Sequence, residues 1–418
     1  MSASPGRVSP ARLVAYTVLR RVFEQGSYAD RALRGELDRA GDAVDDRERA
    51  FAMQLAYGSV QRAGTLDHVT SRFARGGIEP AIRAALRLGA FQLLFLGGVP
   101  DHAAVDASVE LAKRDAPRAA GLVNAVLRKV AGEGRAILDA LDDATPAGAA
   151  AMHSVPRWLA ELWFEAFGAD EARALLGSVN EPAEHALRAN ALVTTPDGLI
   201  AALPVDAHRG SEPGEAVVVD GPFDAHASPL FATGALMPQS RASMLVAHAL
   251  DPQPGERVLD LCAAPGGKTT HLAALMGDEG RVVAVERHPG RADALRATAA
   301  RMRATCIEVV TADATAFVAG EPFDRVLVDP PCSGLGTLRS RPDLRWRASV
   351  SDELLAEQRA ILAAATAAVR PGGRIVYSTC TLSERENEEV VAGRAATMRT
   401  TTPHRDGTDG FFIATIEA

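Results

Sequence analysis

The sequence has no long apolar run and no excess of positive charge, and each shortage excludes a class of protein. Charged residues interrupt every apolar stretch of the chain, and its start, MSASPGRVSPARL, lacks the apolar region of a secretory signal. We therefore expect no membrane span and a cytoplasmic location. The net charge of -8 argues against a protein that coats nucleic acid non-specifically, although an acidic chain can still carry a local basic face.

Cysteine is scarce, and its placement excludes two further uses. The four cysteines are Cys262, Cys306, Cys332 and Cys380. They lack the paired spacing of a metal site and are too few for a disulfide framework. We therefore expect reduced thiols and no metal centre.

The stretch CAAPGGKTT, residues 262–270, lacks one glycine that a triphosphate-binding loop needs. Such a loop has a glycine five places before the one that precedes its lysine, so that successive backbone N–H groups curl around the anion. Cys262 stands at that place, ahead of Lys268 and Thr269. The stretch is instead typical of a looser turn that receives an uncharged or zwitterionic part of a nucleoside cofactor.

Apolar content and length are sufficient for several cores. The chain has 418 residues, of which 47% are hydrophobic, and this predicts a multidomain protein. Apolar residues recur at three- and four-residue steps in ARLVAYTVLRRVF and AAGLVNAVLRKVA, which predicts an all-α bundle over residues 1–140. Two strand-like runs, HALRANALVTT and EAVVVDG, predict a linker and a small α+β module over residues 141–225.

Short β-rich runs alternate with amphipathic segments over residues 226–418. The runs are RVLDLCA, RVVAVE, CIEVVTAD, FDRVLVDP and RIVYSTCT, and DGFFIATI is expected to supply the final strand. This alternation predicts an α/β Rossmann-like domain, with a parallel sheet covered by helices on both faces. Ligands then bind beyond the carboxyl ends of the strands.

The ends of the first three runs outline a nucleoside pocket. Glu286 ends the second run and can accept from both ribose hydroxyls, and Asp313 follows the third and can accept from the adenine amine. The small residues after the first run let a ligand approach the backbone, and the expected lining is Cys262, Ala263, Ala264, Pro265, Gly266, Gly267 and Lys268. An NAD enzyme is the competing interpretation, but APGGKTTHLA lacks the G-x-G-x-x-G spacing of such enzymes.

The fourth and fifth runs bring two thiols to one place. DPPCSGLG carries Cys332 and YSTCTL carries Cys380, and their convergence predicts covalent chemistry on an electrophilic carbon. An enzyme that methylates carbon 5 of cytosine must first add a thiolate to carbon 6; one cysteine attacks and the other can assist release. Asp329 can hydrogen-bond or protonate nitrogen 3, and Lys268 can orient Asp329 or contact the base. Taken singly, each cysteine would be interpreted as a small buried apolar residue.

Three long motifs carry a family resemblance. VLDLCAAPGGKTTHLA, VLVDPPCSGLGTLRSRPDLRW and GGRIVYSTCTLSERENEEVV resemble the Nop2/Sun (Fmu) family of RNA cytosine-5 methyltransferases, which use S-adenosylmethionine. The resemblance implies that Cys380 is the nucleophile and that Cys332 aids product release. It also implies cofactor binding by residues 262–268, Glu286, Asp313 and Asp329. Glu286 stands where family members more often have Asp.

The N-terminal part has a second resemblance. RAFAMQLAYGSVQRAGTLDHV and RLGAFQLLFLGGVPDHAAVDASVELAK resemble the NusB-like RNA-binding domain of the branch that methylates 16S ribosomal RNA in bacteria. PRWLAELWF and LRAN match the small module of that branch, which makes Arg188 and Asn190 candidate RNA contacts. PQSRASM departs from relatives, so Ser240 and Met244 put substrate contacts from that segment in question.

Basic residues after the Pro-Cys motif fit an RNA substrate, because arginines bind phosphates and stack on exposed bases. The candidate RNA contacts are Arg339, Arg341, Arg345 and Arg347. The alternative for them is a solvated surface loop. DNA cytosine-5 enzymes use the cysteine of the Pro-Cys motif as nucleophile, so Cys380 favours RNA.

Two other functions stay open at this point. One is a transfer-RNA cytosine-5 methyltransferase with the same chemistry. The other is a non-catalytic ribosome-assembly or antitermination factor, suggested by the helical N-terminal part. The expected protein is a monomer that binds S-adenosylmethionine and RNA, with 16S ribosomal RNA as the favoured substrate.

Overall fold

The computed structural model describes residues 8–74 and 76–418, so the first seven residues of the quoted N-terminal stretch and of the expected first domain lie outside it. The chain divides into two compact units. The first comprises the chain up to Glu181 together with Leu338–Arg347. The second comprises Pro182–Thr337 and Ala348–Ala418.

The first unit is helical, as the apolar periodicity predicts. Its helices are α1 (Pro10–Gln25), α2 (Ala29–Ala40), α3 (Asp46–Gln61), α4 (Ala63–Ser71), α5 (Pro80–Phe95), α6 (Asp101–Asp115), α7 (Ala120–Asp139), α8 (Pro146–His153), α9 (Arg157–Phe167) and α10 (Ala169–Ser178). The expected boundary at residue 140 differs from this division, because α8 to α10 continue the helical unit where a linker was expected.

The start of α1 illustrates why these helices form where they do. The Ser9 hydroxyl caps the helix by accepting from the backbone N–H of Arg12, and Pro10 occupies the first turn. Gly26 ends the helix at a φ of 64°, a left-handed conformation that favours glycine. The buried face of α1 includes Val18 and Leu19 and belongs to one apolar core shared with α3, α5 and α7.

The second unit begins with a small antiparallel sheet in the order β2-β3-β1-β4. Its strands are β1 (Ala186–Ala189), β2 (Ala207–Arg209), β3 (Ala216–Val219) and β4 (Leu236–Pro238). With α11 (Pro196–Ala202) and α12 (Pro229–Ala232), this sheet forms a small α+β module, but α12 and β4 lie beyond residue 225, where the catalytic domain was expected to begin.

The rest of the second unit is built on a seven-stranded sheet. Its strands are β5 (Arg257–Asp260), β6 (Arg281–Glu286), β7 (Ile307–Thr311), β8 (Phe323–Val328), β9 (Val369–Thr379), β10 (Thr397–Thr401) and β11 (Phe411–Glu417). Its helices are α13 (Arg241–Leu250), α14 (Gly267–Leu275), α15 (Pro289–Arg301), α17 (Asp352–Ala368), α18 (Glu388–Val391) and α19 (Pro403–Asp406), whereas α16 (Leu344–Arg347) belongs to the first unit. Short 3-10 turns complete the chain at Gly41–Ala43, Pro117–Ala119, Ala314–Ala316, Leu335–Thr337 and Glu384–Glu386.

The strand order is β10-β11-β9-β8-β5-β6-β7. Strands β9, β8, β5, β6 and β7 run parallel, as predicted, whereas β11 pairs antiparallel with both β9 and β10. The sheet is therefore mixed rather than purely parallel, because β11 follows β10 as a hairpin neighbour and not through a crossover helix.

Apolar side chains cover both faces of this sheet. One core cluster packs α17 against β8 and β9, and another packs α13 and α14 against β5. The strands are fixed between these layers, so the residues that follow β5, β6, β8 and β9 all emerge at one edge. In the part of the chain that the structure covers, no helix combines the length and apolar character needed to cross a membrane.

Candidate active site

The turn between β5 and α14 is anchored from below by a buried acid. The Asp260 carboxylate accepts from the Thr269 hydroxyl (2.8 Å) and from the Cys262 backbone N–H (3.3 Å). Burial raises the pKa of Asp260 to about 6, although the Thr269 hydrogen bond opposes the shift. These contacts tie both ends of the turn to the strand.

Gly266 is required by the turn itself. Its φ is 104°, and a Cβ at this position would lie 2.7 Å from Leu295 Cδ1. The turn can therefore lie close to α15 only with glycine here. Because residues 263–267 carry small side chains, a ligand can approach the backbone at the amino end of α14.

Glu286 ends β6 as the sequence predicts, and it is buried. Its Oε1 accepts from the backbone N–H of His288 (2.9 Å), and its Oε2 lies 3.3 Å from Arg291 Nη2. The same Arg291 nitrogen donates to the Ala264 carbonyl (2.9 Å). Arg291 thus links the acid after β6 to the turn after β5.

Asp313 follows β7 and is exposed. Its Oδ1 accepts from the backbone N–H (2.9 Å) and hydroxyl (2.7 Å) of Thr315. The hydrogen bonds from Thr315 lower the pKa of Asp313, which keeps it an anion.

Asp329, directly after β8, holds the Lys268 ammonium group. Lys268 Nζ donates to Asp329 Oδ2 at 2.7 Å, and the Ser378 hydroxyl donates to Oδ1 at 3.0 Å. Burial by itself lowers the pKa of Lys268, but the Asp329 carboxylate outweighs burial and the net shift is upward. A charged lysine and a fixed carboxylate therefore lie side by side between α14 and β8.

The two cysteines at the ends of β8 and β9 meet. Cys332 Sγ lies 3.3 Å from Cys380 Sγ. This contact, followed by burial, raises the pKa of Cys332 well above its ordinary range. The charge of Cys380 is also among the causes that raise the pKa of Lys268, so the lysine lies near this sulfur. The two sulfur atoms thus share one site.

A buried acid that the sequence did not single out joins the two cysteine segments. Glu386 is fully buried, and its Oε1 accepts from the Ser333 backbone N–H (2.8 Å) and from Gln358 Nε2 (3.1 Å). Its Oε2 accepts from the Ser333 hydroxyl, which also contacts the Thr381 hydroxyl (2.7 Å). The only available signal was its place in the motif SERENEEVV, whose many acids are otherwise typical of an exposed helix start.

Arg188 and Asn190 lie in the interior, which corrects their expected role as RNA contacts. Both side chains are fully buried. Arg188 donates to the Gly267 carbonyl (2.9 Å) and to the Thr270 hydroxyl (2.9 Å), and Asn190 Nδ2 donates to the carbonyls of Gly234 and Met302. Arg188 therefore supports α14 from below, and the pair stabilises the fold.

The four arginines after the Pro-Cys motif separate by environment. Arg345 is fully buried within the helical unit, so it also is not an exposed RNA contact. Arg347 packs over the Tyr28 ring at 4.0 Å and lies 3.6 Å from Asp343, and Arg339 is partly buried. Arg341 is exposed and stays a candidate RNA contact.

The segment that departs from relatives has structural roles. Ser240 caps α13, since its hydroxyl accepts from the Ser243 backbone N–H. Met244 is fully buried and packs in a small cluster with Ala186 and Ala216.

One group within the described residues has the donor types of a metal site, although no metal site was expected. Glu215 Oε1 accepts from His248 Nε2 (2.8 Å) and lies 2.7 Å from His271 Nε2. Two ligand atoms of a tetrahedral zinc ion lie roughly 3.3 Å apart. The shorter contacts are those of a Glu-His-His hydrogen-bonding group that links β3 to α13 and α14, in which the histidine contacts hold the pKa of Glu215 low.

Comparison with known proteins identifies the family. The model for "16S rRNA methyltransferase RsmB/F" matches residues 247–397, and the NusB family model matches residues 9–132. A probable ribosomal RNA small subunit methyltransferase B from Synechocystis is 34% identical, over 97% of this chain and 99% of that protein. The ribosomal RNA small subunit methyltransferase B of Thermus thermophilus is 38% identical, over 92% of this chain and 87% of that protein.

Solved structures agree with this match. The crystal structure of PH0851 superposes with a TM-score of 0.80 at 26% identity and covers 100% of both chains. The similarity thus extends over the helical unit, the small sheet and the seven-stranded sheet. The chain therefore belongs to the 16S rRNA methyltransferase RsmB/F family, and S-adenosylmethionine is its cofactor.

Proposed function

We propose that this protein methylates carbon 5 of a cytosine in 16S ribosomal RNA through a covalent bond between Cys380 and carbon 6, with Cys332 assisting product release. The observation that carries the proposal is the 3.3 Å separation of the two sulfur atoms at neighbouring strand ends. Covalent catalysis explains why two thiols should share one site, because one must bond to the base and the other must act when that bond breaks.

The charges around the site support Cys380 as the attacking sulfur. Lys268 carries a positive charge near Cys380, whereas the raised pKa of Cys332 keeps that sulfur protonated at neutral pH. As the Cys380 sulfur bonds to carbon 6, the electron pair of the carbon 5–carbon 6 double bond moves into the ring. That pair then forms the bond from carbon 5 to the methyl group. Loss of the proton from carbon 5 leaves the carbon–hydrogen pair to form the carbon 5–carbon 6 double bond again, and the sulfur departs with the pair of the carbon 6–sulfur bond.

Asp329 and Lys268 form the polar edge of the proposed base site. Asp329 is held by Lys268 and by Ser378, so its carboxyl group has a fixed direction. In the proposed reaction nitrogen 3 gains a proton as the sulfur adds to carbon 6, and the Asp329 carboxylate accepts a hydrogen bond from that N–H, which stabilises the ring. Lys268 orients the acid and supplies the compensating charge.

The residues at the other strand ends suit the cofactor. Glu286 offers a carboxylate for ribose hydroxyls, Asp313 an acceptor for the adenine amine, and the turn with Gly266 allows close approach to the backbone. This donor set matches a nucleoside with a zwitterionic tail. Bound there, S-adenosylmethionine supplies the methyl group.

An RNA substrate is supported by two features. The family and relatives are named for ribosomal RNA methyltransferases, and a NusB-type helical domain accompanies the catalytic sheet. The target base must also leave its stack to reach two partly buried thiols, and single-stranded or loop RNA makes this exposure less costly.

We propose a monomer that acts in the cytoplasm. Light scattering of the purified protein tests the oligomeric state, and cell fractionation tests the location.

The test uses purified wild type and a C332A variant, with unmethylated 16S RNA and labelled S-adenosylmethionine. We expect 5-methylcytidine from the wild type by nucleoside mass spectrometry. C332A should trap a protein–RNA adduct on a denaturing gel, and the adduct should disappear when Cys380 is also replaced. C306A is the matched control, because burial raises the pKa of that thiol to about 12 and it lies outside the site.

The alternatives give different results. Methylation of transfer RNA alone would keep the mechanism and refute the 16S assignment. Absence of cofactor binding, modified cytidine and adduct with both RNAs would favour a non-catalytic assembly or antitermination factor.

A further inference from the structure

The segment that carries Cys332 is fastened to the segment that carries Cys380 by hydrogen bonds away from the sulfur atoms. Gly336 donates its backbone N–H to the Cys380 carbonyl at 2.9 Å. The Ser333 and Thr381 hydroxyls, each one residue beyond a cysteine, are 2.7 Å apart. Ser333, Gly336 and Thr381 are buried.

Glu386 lies at the centre of these contacts. It has no solvent exposure, and both oxygens of its carboxylate accept hydrogen bonds, from Ser333 and from Gln358. Gln358 Nε2 also donates to the Pro331 carbonyl at 2.9 Å, so the residues on both sides of Cys332 are held. None of the ion pairs found among the described residues involves Glu386, so its negative charge is satisfied by neutral donors alone.

Burying a carboxylate away from water costs free energy. A buried carboxylate without a cation is tolerated only when several donors point at it, and such bonds to a charged acceptor are about twice as strong as neutral ones. The backbone carbonyl of Glu386 additionally accepts from the Tyr377 hydroxyl at 2.7 Å, which anchors the acid to β9. The donors that converge on the side chain come from Ser333, directly after Cys332, and from Gln358 on α17.

We propose that Glu386 is a positioning residue that holds Cys332 against Cys380. It acts through Ser333, Thr381 and Gln358 and touches neither sulfur nor substrate. Its negative charge is also one of the causes that keep the pKa of Cys332 high. The inference rests on the proposed function only for its effect on catalysis; the pairing of the thiols can be measured without RNA.

The first experiment measures thiol pairing with phenylarsine oxide. This trivalent arsenical reacts with two neighbouring thiols: two S–H bonds are replaced by two As–S bonds, and the arsenic-bound oxygen leaves as water. Affinity is measured by competition with a small dithiol and intact-mass detection, and peptide mapping identifies Cys332 and Cys380. We expect E386Q, which keeps the size but loses one acceptor and the charge, to weaken arsenical binding about tenfold.

Three further variants make the result specific. E384Q is the matched control, because Glu384 is an exposed acid in the same turn, and it should bind as the wild type does. E386D keeps the charge and should recover part of the affinity. S333A removes one hydroxyl from the same network and serves if E386Q does not fold; it should weaken binding by a smaller factor.

A second readout uses the enzymatic reaction. In E386Q the pH profile of turnover should change and kcat should fall, with KM for RNA within about twofold, because the acid is remote from the substrate. Arsenical binding of E386Q and S333A equal to the wild type would overturn the proposal, as would a wild type that binds the arsenical through other cysteines. Weakened binding in E386Q, together with a wild type that forms no methylcytidine, would leave Glu386 in its role and refute the proposed function.

Discussion

One continuous segment, residues 329–347, is divided between the two units, and its two parts do different work. The first part contains Asp329 and Cys332, whose polar atoms contact Lys268 and Cys380 in the catalytic unit. The second part, Leu338–Arg347, belongs to the helical unit and buries Arg345. Both parts contain charged or reactive side chains, so residue type alone does not distinguish a side chain that contacts a substrate from one that stabilises the fold.

The physical difference is where each side chain finds its hydrogen bonds. Asp329 contacts Lys268 and Cys332 contacts Cys380, and all four side chains are partly exposed. Arg345 instead donates to acceptors of the helical unit, which are the carbonyls of Gln61, Ser154, Val179 and Leu338 and the side chain of Asn180. Trp346 likewise donates its indole N–H to the Val60 carbonyl at 2.8 Å.

The largest expected effect is that of replacing Cys380, the residue that contacts Cys332 of the first part. C380A removes the proposed nucleophile, and methylation should fall by about 10⁴-fold or more, because covalent catalysis is lost altogether. Initial rates with labelled cofactor measure this loss. Cofactor binding by C380A, measured calorimetrically, should stay near wild type; residual methylation close to the wild-type rate would show that Cys380 is not the nucleophile.

R345A tests the second part and should act on stability. It leaves several buried acceptors without donors, which should lower the unfolding free energy of the helical unit by about 3 kcal/mol or more. Denaturant unfolding followed by tryptophan fluorescence reports on this unit alone, because Trp158, Trp163 and Trp346 all belong to it. An R345A midpoint equal to that of R341A would contradict the structural role.

D329N changes a residue of the first part that, unlike Cys380, forms no covalent bond with the base in the proposed reaction. We expect kcat to fall about 10²-fold, since the amide leaves Lys268 without its anionic partner and weakens support of the ring. S378A, which removes only the hydroxyl that donates to Asp329, is the control and should cost much less. An unchanged kcat in D329N would remove Asp329 from the chemistry.

The Lys268–Asp329 pair also predicts how the unfolding free energy depends on pH. Asp329 raises the pKa of Lys268, so the pair stabilises the fold below the ordinary lysine pKa, and this contribution is lost only as the pH rises through the raised value. The difference in unfolding free energy between wild type and D329N should therefore be constant near neutral pH and shrink in strongly alkaline solution. A difference that vanishes on acidification to pH 6 would contradict this assignment.

The smallest effect is expected at Arg341, the exposed arginine of the second part. R341A should change stability by less than about 0.5 kcal/mol and weaken RNA binding only about twofold. If this side chain neutralises a phosphate, the slope of log affinity against log salt should become shallower by roughly 0.7. A slope identical to that of the wild type would remove Arg341 from the candidate RNA contacts.

Burial explains where sequence-based prediction succeeded and where it stopped. The strand runs placed Glu286, Asp329, Cys332 and Cys380 at strand ends, because parallel strands deliver their carboxyl ends to one edge. Periodicity could not distinguish Arg188 on β1 from an exposed arginine, since a buried arginine depends on acceptors far away in the chain. Glu386 was missed for the same reason: its partners Ser333 and Gln358 are remote in sequence.

The sequence by itself determined the helical and α/β parts, the turn with Gly266, and the two cysteine motifs, because apolar periodicity, glycine conformation and short motifs are local properties. Only the tertiary structure decided which charges are interior. It paired Lys268 with Asp329, enclosed Glu386 among neutral donors, and assigned residues 338–347 to the helical unit. The physical reason is that the free energy of a polar group depends on its solvent exposure and its partners, and both are set by distant parts of the chain.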